Sequence, residues 1–76
     1  MSFTTNKAVG ETFAIAMNPG LTVTVTWANG EKETFVTDGS MQTLTLASSA
    51  FTLETDTEVT SLYVAGNGLT NMDLTN

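Results

Sequence analysis

The stretch Leu21–Phe35, LTVTVTWANGEKETF, decides how the rest of the chain is read. Leu21, Val23, Val25 and Trp27 alternate with Thr22, Thr24 and Thr26. At a period of two, this puts four apolar side chains on one face and three threonines on the other, the pattern of a half-buried β-strand. Asn29-Gly30 follows, a dipeptide in which both residues tolerate positive φ and which is the strongest short-range signal for a tight hairpin. Two registers are open. A two-residue Asn29-Gly30 loop sets Val23 against Val36 and leaves Phe35 beside Thr24 on the wet face. A three-residue loop from Ala28 to Gly30, with Gly30 left-handed as a bulge, pairs Trp27 with Glu31 and Val23 with Phe35. The second is favoured, because burying Phe35 removes more apolar area from water than burying Val36. Trp27, Val25 and Phe35 are therefore the expected core anchors.

The same alternation recurs outward from this hairpin. Upstream, Glu11 to Met17 (ETFAIAM) sets Phe13 and Ile15 on one face and the small residues Ala14 and Ala16 on the other, which suggests close approach by something else. Asn18-Pro19-Gly20 then forms a turn, with Pro19 and Gly20 suited to the central positions of type II. Residues 1 to 10 read as either a short first strand or an arm. Downstream, Asp38-Gly39-Ser40 is a turn, MQTLTL turns Leu44 and Leu46 inward, and Phe51 and Leu53 continue the pattern. Glu54 to Glu58 (ETDTE) is expected as an acidic loop or a solvent-facing edge.

Composition narrows the function. With 76 residues the chain is one domain, close to the size at which a single core becomes marginal, and it has no cysteine for a disulfide. Lys7 and Lys32 stand against eight acidic residues, for a net charge of −6. Such a surface repels nucleic-acid backbones and anionic membranes, so neither is an expected partner. The opening MSFTTNKAVGET lacks the apolar run of a signal peptide, and no stretch approaches a membrane span. The expectation is a soluble product, although a mature domain with an added Met would read the same. Histidine and cysteine are absent, which removes the usual groups for nucleophilic and acid–base work and for zinc. No enzyme, cofactor or metal site is expected. Glu54, Asp56 and Glu58 alternate along an extended segment and could hold calcium, but such a run more often guards a sheet edge. The threonine face of the Leu21 strand could bind a repetitive ligand, against the plainer reading of solvent-facing strand residues.

From Val59 the spacing changes in kind. Val59, Leu62, Val64, Asn67, Leu69, Met72 and Leu74 fall at intervals of 3, 2, 3, 2, 3 and 2, which follows the LxxLxLxxNxLxxLxL spacing of a leucine-rich repeat. There Leu62 and Val64 would be the strand pair, and Asn67 would bond backbone groups of the next turn. The segment TVTVTWANGEKETF resembles the strand-and-turn core of PKD-type β-sandwich modules, in which a tryptophan precedes a Gly-Asp-Gly turn. In surface proteins of gut Bacteroidetes, a small domain of this type caps leucine-rich repeats that begin much as VTSLYVAGNGLTNMDLTN does. Thr26 stands where that pattern has aspartate, and Ala28-Asn29 replace its Gly-Asp, so no aspartate ligand for calcium is available at the turn.

The expected fold is all-β: a small Ig/PKD-like antiparallel β-sandwich over residues 1–58, followed over 59–76 by a leucine-rich-repeat-like interaction segment, the whole forming one folded unit. A repeat of this kind buries its apolar face only against further coils, and about three are needed for a stable stack. Leu62, Val64, Leu69, Met72 and Leu74 therefore either fold back on the sandwich or are covered by another chain. The leading functional reading is a non-catalytic bacteriophage virion component, of capsid decoration or fibre type. It would sit on the virion surface and assemble through this segment with copies of itself or with a capsid or surface protein. The alternatives are the N-terminal cap of a secreted leucine-rich adhesin, which would be extracellular or on the cell surface, and a small carbohydrate- or peptide-binding module.

Overall fold

The structure, a computed structural model, describes residues 1–64 and 68–74. Alternating apolar residues separated by glycine and asparagine turns give eight strands and no helix among the described residues. They are β1 (Ser2–Thr5), β2 (Thr12–Met17), β3 (Thr22–Trp27), β4 (Lys32–Val36), β5 (Gln42–Thr45), β6 (Ala50–Thr55), β7 (Leu62–Tyr63) and β8 (Leu69–Asp73). Two antiparallel sheets enclose the core, one in the order β4-β3-β6-β1-β8 and the other in the order β5-β2-β7.

The β3–β4 hairpin adopts the three-residue loop. Gly30 N–H donates to the Trp27 carbonyl at 2.9 Å, Trp27 N–H donates to the Glu31 carbonyl at 2.9 Å, and Gly30 has φ 89°. Val23 lies opposite Phe35. Val25 and Trp27 are buried, and Phe35 packs at the margin of the core because β4 is an edge strand. Glu33, opposite Val25, accepts the Trp27 indole N–H at 2.9 Å, so the one polar atom of the buried ring is satisfied at the sheet edge.

The core is a slab of side chains from both sheets, with Phe51 at its centre. The Phe51 ring lies 5.0 Å from Trp27, 5.1 Å from Phe13 in an edge-on arrangement and 5.7 Å from Phe3, measured between centroids. Phe3 and Phe13 come from opposite sheets, so this aromatic cluster ties the two layers together. No buried side-chain nitrogen or oxygen among the described residues lacks a hydrogen-bond partner.

Of the two readings of residues 1–10, the short first strand is the one found: β1 lies between β6 and β8 inside the larger sheet, where Phe3 completes the aromatic cluster. Glu54 belongs to β6, an inner strand, and not to a loop or an edge. An antiparallel sheet with one wet face accepts a carboxylate there, opposite Thr24.

Candidate interaction surfaces

Asn18 fastens the C-terminal segment to the body of the protein. Its side-chain oxygen accepts the N–H groups of Thr60 at 2.8 Å and Ser61 at 3.3 Å, and its own N–H donates to the Ser61 carbonyl at 3.3 Å. The chain then enters β7, which pairs antiparallel with β2 through Ala16 opposite Tyr63 and Met17 opposite Leu62. β8 pairs antiparallel with β1, Met72 opposite Phe3 and Ser2 opposite Asp73, with a shift in register between Thr4 and Thr5. Thr70 Oγ1 donates to the Thr4 carbonyl at 3.3 Å beside this irregularity.

These pairings divide the apolar residues of the segment. Leu62, Val64 and Leu69, with Val59, are partly buried against the core. Met72 and Leu74 remain 45% and 50% exposed. The reason is the unequal width of the sheets: five strands face three, so the inward side of the outermost strand has no full layer above it. A cleft of about 330 Å³ runs beside them, lined in part by Met1, Val59, Leu62 and Leu74. Asn67, Gly66 and Asn76, which carry the repeat asparagine, part of its turn and the last residue, lie outside the described residues.

The outer face of the larger sheet is polar. One row crosses all five strands as Lys32, Thr26, Thr52, Ser2 and Asp73, and Thr24 lies between Thr34 and Glu54 in another. A shallow depression of about 310 Å³ is lined there by Ser2, Thr4, Thr26, Ala50 and Thr52 among others. Trp27 is also among the residues that line it, with its ring buried in the core.

Glu54, Asp56 and Glu58 line one open cleft of about 680 Å³, but no group of three or more carboxylates, histidines or cysteines among the described residues is placed to hold a metal ion. Asp56 is engaged otherwise, its Oδ1 accepting the Thr22 N–H at 2.9 Å.

The outer face of the smaller sheet has a different character. Thr12, Ala14 and Ala16 of β2 lie opposite Thr45, Thr43 and Tyr63 respectively, all on the side away from Phe13, Ile15 and Leu44. Met41, one residue beyond the β5 pairing, continues the Thr43 side. Tyr63 is 54% and Met41 49% exposed. Tyr63 does not stand out in the sequence, since it meets Ala16 only through a pairing between distant strands. No family model matches the chain, and the comparisons with curated proteins and with solved structures found no match.

Proposed function

We propose that the chain is a non-catalytic structural and interaction protein that docks on a neighbouring protein chain through the exposed end of β8. The virion surface of a bacteriophage, where it would act as a decoration or fibre-type component, is the setting that fits best. The observation that carries this reading is the pair Met72 and Leu74, both half exposed, Met72 opposite Phe3 in the edge strand β8 and Leu74 one residue beyond that strand. Large apolar side chains in such a place are the usual mark of a surface that another chain covers. An Ig- or PKD-type strand core with a leucine-rich-repeat-like C-terminal segment is the finer fold that accompanies this proposal.

The test compares the solution mass of the wild-type chain with that of a Met72→Asp, Leu74→Asp variant, by light scattering at two concentrations. Leu62 is left intact because it packs against the core, where an aspartate would unfold the protein and mimic a loss of docking. The expected result is concentration-dependent association of the wild type, a smaller species for the variant, and unchanged Trp27 emission. A wild-type mass that the two substitutions do not alter overturns the proposal.

A further inference from the structure

We infer that Asn29 is a site of spontaneous deamidation and that the folded β3–β4 hairpin keeps it intact. In this reaction the Gly30 main-chain nitrogen gives up its proton and attacks the carbonyl carbon of the Asn29 side chain, and a succinimide ring closes as ammonia leaves. Solvent water then opens the ring on one side or the other, leaving aspartate or isoaspartate at position 29. Glycine suits the second place because it has no Cβ to hinder the approach. Residues 28–30 are exposed, so water reaches the reacting atoms.

Two hydrogen bonds of the folded loop oppose the attack. The Gly30 N–H donates to the Trp27 carbonyl at 2.9 Å, so the nitrogen that has to lose its proton is held as a donor within the turn. Asn29 Oδ1 accepts the Glu31 N–H at 2.9 Å, which fixes the side-chain torsions that ring closure has to change. The loop therefore reacts when the hairpin opens. Its rate follows the open population, as for any slow modification of a segment that closes faster than it reacts. Opening is local, because β4 is an edge strand paired with β3 alone and Phe35 packs only at the margin of the core. The change is also one-way. It adds a negative charge beside Glu31 to a chain already at −6, and isoaspartate adds a methylene group to the main chain of a three-residue loop. Asn29 thus becomes a permanent mark on chains whose hairpin has opened.

The test incubates the whole chain at neutral pH, then cuts it with trypsin and weighs the fragments. Lys7 and Lys32 are the only cleavage positions, and fragment 8–32 carries two side-chain amides, Asn18 and Asn29. Asn18 precedes Pro19, whose nitrogen has no proton to lose, so replacement of an amide by a carboxyl in this fragment reports Asn29. The expected rate for the folded chain is at least about tenfold below that of a synthetic peptide TWANGEKET, residues 26–34, and the two converge in urea that unfolds the chain. Phe35→Ala leaves residues 26–34 unchanged but loosens β4, and is expected to raise the rate several-fold. Wild type in urea below its unfolding midpoint gives the same comparison should that variant fail to fold. A folded chain that reacts as fast as the peptide overturns the inference. So does a rate that stays low in the unfolded chain, or one that neither Phe35→Ala nor mild urea raises.

Discussion

Thr37 is buried, and its hydroxyl joins two backbone groups of the turn at Asn18-Pro19-Gly20. It accepts the Leu21 N–H at 2.9 Å and donates to the Asn18 carbonyl at 2.8 Å. Its own N–H donates to the Leu21 carbonyl, and its carbonyl accepts the Gly20 N–H, each at 2.9 Å. Thr37→Val keeps the shape but strands a buried N–H, and is expected to lower stability by about 1–3 kcal/mol in urea unfolding. Asp38, next in sequence, is exposed. The Ser40 hydroxyl at 2.6 Å and then the Ser40 N–H at 2.9 Å hold its carboxyl below the usual 3.8. A lowered folded value means that these bonds stabilise the fold above the usual carboxyl range, and that their contribution is lost as pH falls through the folded value. Ser40→Ala should move the Asp38 titration, followed by NMR, up toward 3.8 and weaken the acid dependence of stability.

At the scale of the element, the hairpin between β3 and β4 was readable because its information is local. Asn29 Oδ1 accepts the Glu31 N–H at 2.9 Å and Gly30 takes the left-handed backbone, both within five residues of Trp27. A Cβ built on Gly30 meets nothing within 4 Å, so Gly30→Ala isolates the cost of the backbone conformation. The expected loss is about 1–2 kcal/mol by urea unfolding, with the register of the hairpin retained. The C-terminal strands were less readable. The apolar positions from Val59 to Leu74 stand out in the sequence, but their spacing does not say which of them the sheets will cover. Leu62 packs on the core and Leu74 does not, because β7 borders the narrow sheet and β8 the wide one.

For the whole molecule, the larger sheet is complete only when the two ends of the chain meet, since Ser2 pairs with both Thr52 and Asp73. Pairings of such long separation lose loop entropy before any contact compensates for it. Refolding followed by Trp27 fluorescence is therefore expected in milliseconds to seconds, and not in the microseconds typical of small helical bundles. A chain of this size has roughly 4–11 kcal/mol of stability, so breaking the four-ring cluster around Phe51 removes a large part of it.

The sequence by itself determined the alternating strands between Thr12 and Leu53, their inward faces and the tight turns, because a period of two and a left-handed glycine act over a few residues. It also determined the acidic balance and the lack of histidine and cysteine that turn attention from chemistry to surfaces. Only the tertiary structure decided the order of the strands, the central place of β1, the anchoring of residues 60 and 61 by Asn18, and the meeting of Ala16 with Tyr63. An alternating strand presents the same apolar face whichever neighbour it joins. The choice among neighbours rests on how four aromatic rings from distant positions fill one space, and that is a property of the packed chain.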